Sequence, residues 1–316
     1  MRTLVILAVG SLLLVACGNI LTCPSSTTLD SLVTCVRTQM PQSGSNGYVA
    51  PTPTQRADWR TVVNQMLQGS CDFPVPGSLN GIARVSTFTD TGNGRSYCLL
   101  MEVLDRNGNG FVDHGFGTFI VYNNATRQLS HQAVHPIADS TTETQAVTVF
   151  KDTDSRSFVM AGAHRDANAA ASTCRPSHPE SDASHNSNTM VQATNEALLA
   201  YYGATPWFAI QWHGMAASTC PNTNVYPSHG RDVTPAPTDK IAVLRGNLRV
   251  HHPTWDVDLP GSGSCSPTVT APRPRRKSSS RGCARRASPS RRGQARMHRR
   301  SSRRLRLNRS KGGRRP

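Results

Sequence analysis

Apolar and polar positions along residues 57–270 form blocks that predict strands and helices in turn. Short apolar or alternating runs between turn-forming residues predict strands at 82–90, 96–105, 117–124, 129–136, 155–165, 206–214 and 254–260. Apolar residues at helical spacing predict helices at 57–69, 142–152 and 189–203, while 239–252 is either a helix or a helix–strand pair. This order predicts one α/β domain with a mixed, mostly parallel sheet and helices on both faces.

The stretch 129–150 joins a strand, a polar turn and a helix, and it holds three candidate site residues. Pro136 cannot donate to a ladder, so the strand must end near His135. In α/β folds, ligands bind beyond the carboxyl ends of the strands. We therefore expect His135, Asp139 and Glu143 to be metal ligands or proton carriers at this edge. The alternative is that the two acids only offset the dipole of the helix that follows.

Two other apolar runs end on histidine in the same way. Residues 155–165 end on His164 and Arg165, and residues 206–214 end on His213 and a glycine. If these runs are neighbouring parallel strands, their histidines meet His135 at one edge of the sheet. Chance placement is the alternative, since the chain contains 11 His.

These residue types suit a zinc hydrolase, which needs three protein ligands from His, Asp and Glu and an open fourth position. We predict His135, Glu143 and His213 as the ligands and His164 as a fourth candidate. Arg165 is predicted to clamp a substrate carboxylate or to stabilise an oxyanion.

Further catalytic residues are predicted in the polar segment 166–188, because long structureless loops in compact domains are usually functional. Asp182 and His185 lie three residues apart there and are predicted to orient ligands or relay protons. Asp139 is a further candidate for a catalytic role. The alternative is that the histidines are ordinary hydrogen-bonded residues and that Arg165 pairs only with an acidic neighbour, since no His-Glu-x-x-His motif is present.

The order His-Pro…Thr-Glu, Ala-His-Arg and Trp-His-Gly over roughly residues 115–260 resembles the secreted zinc-dependent amidases and peptidases with a carboxypeptidase-like fold. This group includes the phage-type poly-γ-glutamate hydrolases and the N-formylglutamate amidohydrolases. The resemblance implies that His135 and Glu143 form the first ligand pair and that His213 is the third ligand. It also implies that Arg165 holds a substrate carboxylate.

The chain departs from that family pattern at two points. The gap from His135 to Glu143 is longer than the short His-x-x-Glu spacing of carboxypeptidases. Those enzymes also place a catalytic Glu after the third ligand, whereas the last Glu of this chain is Glu196. Either Asp256 or Asp258 replaces it, or the chain lacks the catalytic carboxylate.

Residues 105–110, Asp-Arg-Asn-Gly-Asn-Gly, match the opening of an EF-hand-type calcium loop. The closing position is Phe116 instead of Glu, and no pair of helices is predicted around the segment. The favoured interpretation is a polar turn between strands. The alternative is a weak Ca²⁺ site formed by Asp105, Asn107, Asn109 and Asp113.

The amino-terminal segment predicts export. Residues 1–16 carry one Arg and then an unbroken apolar run, which is typical of a secretory signal. Residues 14–18, Leu-Val-Ala-Cys-Gly, resemble a bacterial lipobox, so Cys17 is predicted to carry a lipid that anchors the protein to a membrane at the cell envelope. The alternative is an ordinary signal peptide and a secreted protein. Residues 17–56 are rich in Ser, Thr and Pro and predict a tether with one short helix.

The carboxyl-terminal segment 271–316 carries 19 of the chain's 35 Lys and Arg and no acidic residue. Residues 1–270 therefore hold 16 basic and 19 acidic residues, and the formal charge of +16 comes from the tail. Such a block is typically disordered and binds polyanions. The favoured interpretation is that its Arg/Ser/Pro/Gly vocabulary reflects a frameshift, so no specific nucleic-acid binding is predicted.

The nine cysteines favour an oxidising compartment. Cys174 and Cys220 both follow a strand-terminal His, and a disulfide between them is predicted if their strands are neighbours. Cys71–Cys98 and Cys23–Cys35 are the next predicted pairs, and Cys265 is then left without a partner.

Taken together, these features predict an exported zinc-dependent hydrolase of amide or peptide bonds in a carboxylate-bearing peptide or cell-wall-like substrate. One alternative is a non-catalytic surface lipoprotein with structural histidines. Another is a polyanion binder that acts through the basic tail.

Overall fold

The computed structural model describes residues 19–230, 233–261 and 265. The predicted signal sequence, Cys17 and the basic tail lie outside these residues. The described elements are, in chain order, β1 (Asn19–Ile20), α1 (Leu29–Thr38), α2 (Pro53–Leu67), a 3-10 turn (Gly77–Leu79), β2 (Ala83–Asp90), β3 (Arg95–Glu102), β4 (Leu104–Asp105), β5 (Thr118–Val121), β6 (Arg127–Ala133), α3 (Thr142–Asp152), β7 (Ser155–Met160), α4 (Met190–Tyr202), β8 (Phe208–Trp212) and α5 (Lys240–His251).

Six of these strands form one mixed sheet in the order β2-β3-β5-β7-β6-β8. The prediction of an α/β fold with a mixed sheet is confirmed, but the expectation that the sheet is mostly parallel is wrong. The three pairings among β2, β3, β5 and β7 are antiparallel, and only β7–β6 and β6–β8 are parallel. The parallel part lies where helices α3 and α4 supply the crossover connections that parallel strands need.

Helices cover both faces of the sheet, as the sequence predicts. Side chains alternate along β3: Leu99 packs towards α1 and α3, whereas Leu100 packs towards α2 and α4. The two largest apolar clusters are therefore separated by the sheet itself, which holds the strand ends in fixed positions relative to one another.

Helix α1 belongs to this core, although the sequence predicts a tether over residues 17–56. Leu29, Leu32 and Val33 are buried, and Asp90 Oδ2 accepts a hydrogen bond of 2.9 Å from the backbone N–H of Leu29. The predicted domain boundary at residue 57 is therefore too late. The short helix that the sequence predicts in this segment is present as α1, but it packs into the core instead of lying in a tether.

Three disulfides join described cysteines. The predicted pairs Cys23–Cys35 and Cys71–Cys98 are confirmed. Cys220 pairs with Cys265, so the expected Cys174–Cys220 bond and the unpaired Cys265 are both wrong. The condition for the expected bond fails because β6 lies between β7 and β8. Disulfides of this kind indicate an extracellular or otherwise oxidising compartment.

Strand β8 and the segment after it are less buried than the sequence predicts. Phe208 and Ile210 of β8 are exposed because β8 is an edge strand. The predicted strand 254–260 forms isolated bridges instead of a strand, and one of them joins Val257 to Val225. Among the described residues, no helix is both long enough and apolar enough to span a membrane.

Candidate metal centre

The carboxyl ends of β7, β6 and β8 lie side by side and deliver three histidines to one edge of the sheet. His135 follows the end of β6 at Ala133, and His213 directly follows β8. His164 lies in the loop that leaves β7. This is the arrangement that the three histidine-terminated apolar runs predict.

His135, Asp139 and His213 form the first cluster of possible metal ligands. Oδ2 of Asp139 lies 3.2 Å from Nδ1 of His135 and also 3.2 Å from Nδ1 of His213. The turn after β6 creates this arrangement, because the backbone N–H of Asp139 donates to the carbonyl oxygen of His135 at 2.9 Å. His135 and Asp139 are buried, whereas His213 is exposed at the rim, so the cluster has one open side.

Asp182 holds the opposite side of the His135 ring. Its Oδ1 lies 2.9 Å from Nε2 of His135, and the carboxylate is buried. A carboxylate that accepts the proton of one imidazole nitrogen leaves the lone pair of the other nitrogen for a metal. Asp182 therefore orients the ring so that Nδ1 of His135 faces Asp139, and it would hold the Nε2 proton if a metal replaced the proton on Nδ1.

The charged forms of the histidine and the two carboxylates in this cluster stabilise one another. Burial alone would lower the pKa of His135, but the hydrogen bonds and charges of Asp139 and Asp182 outweigh it and raise this pKa to about 8. Burial alone would raise the pKa values of both carboxyls, but hydrogen bonds from the histidines hold them well below the usual range. Both carboxylates are thus ionised at neutral pH, as metal ligands must be.

A second cluster consists of His178, Asp182 and His185 in the loop between β7 and α4. Nδ1 of His185 lies 2.8 Å from Oδ2 of Asp182, and Nδ1 of His178 lies 3.6 Å from the same oxygen. The sequence singled out Asp182 and His185 but gave His178 no site role. The signal that could have found it is the spacing of four and then three residues from His178 to Asp182 to His185.

Arg165 lies at the edge of the first cluster. Its guanidinium nitrogen is 3.6 Å from Oδ1 of Asp139, and its side chain is 44% exposed. The Nδ1 atom of His164 is already used, since it accepts a hydrogen bond of 3.0 Å from the backbone N–H of Asp166. Neither His/Asp cluster of the described chain includes His164.

Glu143 lies away from the site. It begins α3 and is buried, but its Oε1 lies 3.2 Å from Arg37 of α1. The residue that reaches His135 is instead Asp139, which the sequence predicted for catalysis. The one-turn offset between the end of the strand and the start of the helix points Glu143 at the neighbouring helix.

The two late acidic residues also have other partners. Asp258 accepts a hydrogen bond of 2.9 Å from the Thr223 hydroxyl, and Asp256 lies 3.8 Å from Arg249. Neither is part of the two clusters in the described chain.

The predicted calcium loop forms a compact polar turn. Asp105 accepts hydrogen bonds from the backbone N–H groups of Gly108, Asn109 and Gly110. Asp113 accepts one from the backbone N–H of Arg106. Asn107 and Asn109 likewise accept bonds from backbone N–H groups within the loop. These side-chain oxygens accept hydrogen bonds from backbone N–H groups of the loop, as expected for a polar turn between strands.

Gly214 permits the close approach of β8 to the turn after β6. A Cβ atom at this position would lie 3.2 Å from both Cα and Cβ of Asp139. The backbone N–H of Gly214 also contributes to the low pKa of Asp139. In the Trp-His-Gly motif, the histidine is therefore a candidate ligand. The glycine that follows it leaves room for the second candidate ligand, Asp139.

Two imidazoles and a carboxylate are a donor set that divalent transition metals bind, and either cluster could hold a metal ion. Comparison with family models, with curated proteins and with solved structures gives no match. The function is therefore argued from the site alone.

Proposed function

We propose that this chain is a zinc-dependent hydrolase that cleaves an amide or peptide bond in a carboxylate-bearing substrate. The observation that carries the proposal is the convergence of Nδ1 of His135 and Nδ1 of His213 on one oxygen of Asp139, each at 3.2 Å. Three protein ligands with one side open to solvent are the coordination of catalytic rather than structural zinc.

His135, Asp139 and His213 are the ligands in this proposal. Bound zinc acts as a Lewis acid and lowers the pKa of a coordinated water to about 7. Asp182 is a positioning residue, because it holds the His135 ring from behind and does not face the open side.

Arg165 is proposed to bind the substrate carboxylate. Its guanidinium has one close acidic neighbour in Asp139 and a second in Asp166 at 3.7 Å, and nearly half of the side chain faces solvent. A planar guanidinium can donate two parallel hydrogen bonds to a carboxylate. Such a contact would align the scissile amide with the open side of the first cluster.

The resemblance to the secreted carboxypeptidase-like amidases enters this proposal in a modified form. Asp139 takes the ligand role that the resemblance assigned to Glu143, and neither Asp256 nor Asp258 is given a catalytic role. The disulfides support an exported enzyme. Anchoring through a lipid on Cys17 is part of the proposal, with a peptide or polymer of the cell envelope as the substrate.

The test is hydrolysis of a panel of N-acyl amino acids by the zinc-loaded full chain. Arg165→Ala should lower kcat/KM about 10- to 100-fold, since hydrogen bonds to charged groups contribute about 1.5–3 kcal/mol. Substrates whose carboxylate is blocked as an amide should show no such loss. Arg127→Ala is the matched control, because Arg127 lies at the other end of β6 and bonds to the carbonyl oxygen of Thr153.

A second candidate is favoured by the charge balance of the cluster. The His135 imidazole lies between two ionised carboxylates, so a protonated ring can offset part of their negative charge without a metal. On this account the protein is a non-catalytic surface protein whose histidines stabilise the strand ends. Full activity of His213→Ala, or no bound zinc in the native chain, would favour this second candidate.

A further inference from the structure

We infer that His178, Asp182 and His185 form a second divalent-cation site, next to the proposed catalytic one and linked to it through Asp182. This inference extends the proposed function, but its test does not depend on enzymatic activity. The second site takes the same class of ligand, a zinc-like cation that prefers imidazole and carboxylate donors.

The donor atoms of this site converge on one carboxylate oxygen. Oδ2 of Asp182 receives Nδ1 of His185 at 2.8 Å and Nδ1 of His178 at 3.6 Å. The two imidazole rings are stacked, with centroids 3.7 Å apart and an interplanar angle of 7°. Because the nitrogen lone pair lies in the ring plane, one ring must rotate before both Nδ1 atoms can bind a single ion. The ligand atoms of all three residues lie within 4.8 Å of one another.

Asp182 divides its two oxygens between the two clusters. Oδ1 accepts from Nε2 of His135, at 2.9 Å, and Oδ2 faces the stacked histidines. One buried carboxylate thus orients a ligand of the first site and is itself a candidate ligand of the second. Its partner histidines are partly exposed, with 35% and 27% of their side chains accessible, so a cation can reach them from solvent.

The loop that presents these ligands is fixed by side-chain bonds at both ends. The hydroxyl of Ser172 donates to the carbonyl oxygen of His185 at 2.6 Å, and that of Ser181 donates to the carbonyl oxygen of Arg165 at 2.7 Å. The amide of Asn186 donates to the carbonyl oxygen of Glu180 at 2.6 Å. A site built on such an anchored segment loses little conformational entropy on binding.

The experiment is equilibrium dialysis of the full chain against Zn²⁺, with bound zinc counted by mass spectrometry. His178→Ala and His185→Ala should each bind one zinc fewer than the native chain. His229→Ala is the matched control, because it removes another half-exposed histidine paired with an aspartate, Asp239 at 3.3 Å. It should bind as much zinc as the native chain.

Unchanged zinc content in both His178→Ala and His185→Ala would overturn the inference. If neither loop variant folds, His213→Ala decides: at least one zinc ion per chain retained in this variant supports the second site, and none overturns it. His213→Ala separates this inference from the proposed function. Zinc lost in the loop variants but retained in His213→Ala would leave the second site standing and remove the first.

Discussion

Oδ1 of Asp182 lies 2.9 Å from Nε2 of His135, and both side chains are buried. This contact joins the loop before α4 to the end of β6, two segments 47 residues apart in the chain. It orients the histidine whose other nitrogen faces Asp139. The first cluster therefore depends on a residue that is not one of its three candidate ligands.

Replacing Asp182 with Asn should weaken zinc binding at the first cluster without abolishing it. An amide keeps the shape of the carboxylate but removes its charge, and loss of such outer partners typically costs about 10- to 100-fold in metal affinity. The measurement is competition with a chelator in a His185→Ala background, where the second cluster no longer contributes. Asp166→Asn is the control, since Asp166 is exposed and lies beside His164; equal losses in both variants would contradict the role of Asp182.

Asp139→Asn should lower the metal content of the protein, whereas Glu143→Gln should leave it unchanged. Asp139→Asn should lose about one zinc per chain, whereas Glu143→Gln should lose none because Glu143 faces Arg37. Burial raises the pKa of Glu143, so this carboxyl stabilises the fold most when protonated at acid pH, and its contribution falls as the pH rises. At pH 7 the free energy of unfolding of the Gln variant should therefore lie within about 1 kcal/mol of the native value. Zinc loss in Glu143→Gln would restore the ligand set implied by the family resemblance.

Gly214→Ala should reduce zinc affinity at the first cluster by tenfold or more. The added Cβ would lie 3.2 Å from two Asp139 atoms, so Asp139 must shift away from His213. The matched control is Gly246→Ala in α5, where a Cβ meets no atom within 4 Å and helix propensity improves by about 1 kcal/mol. Both variants are compared by zinc titration and by chemical unfolding. Equal zinc affinity in the two would show that the close approach of β8 is not needed.

His131 should make the fold sensitive to acid. It is buried between the Trp212 indole N–H, which donates to its Nδ1, and the Ser155 hydroxyl, and burial lowers its pKa from 6.5 to about 4. Because the unfolded chain binds the proton more readily, the contribution is complete above pH 6.5 and is lost as the pH falls to about 4. At 1.36 kcal/mol per pH unit this corresponds to about 3 kcal/mol.

The measurement for His131 is the free energy of unfolding of the metal-free protein from pH 7 to pH 4. His131→Asn cannot take up this proton, so it should lose less stability than the native chain over that interval. Parallel pH profiles for the two proteins would contradict the account.

The sequence predicts the site residues at strand ends better than those in the turns and loops. His135 and His213 can be found because each follows a strand-like run between turn formers, and the carboxyl ends of parallel strands meet at one edge of the sheet. Asp139 and Glu143 cannot be ranked from sequence, because the non-helical turn between β6 and α3 decides which of them faces the sheet edge. His178 lies in a loop held by side-chain-to-backbone hydrogen bonds, which leave no periodic pattern to read.

The fold, like the site, was predicted correctly where the sequence pattern is strong and wrongly where it is weak. Strands β3 and β7 and helix α3 are strongly patterned and are placed correctly. The parallel fraction of the sheet was overestimated because an apolar run such as β5 does not reveal the direction of its strand. Helix α1 was assigned to a tether because its apolar face is short, and only its packing on α3 shows that it belongs to the core.

The most direct measurement is anomalous diffraction at the zinc absorption edge from a crystal of the full chain grown with Zn²⁺. We predict a peak about 2.0–2.2 Å from Nδ1 of His135, an Asp139 carboxylate oxygen and Nδ1 of His213. A crystal in which these three residues keep their direct hydrogen bonds, and no peak lies among them, would contradict the account.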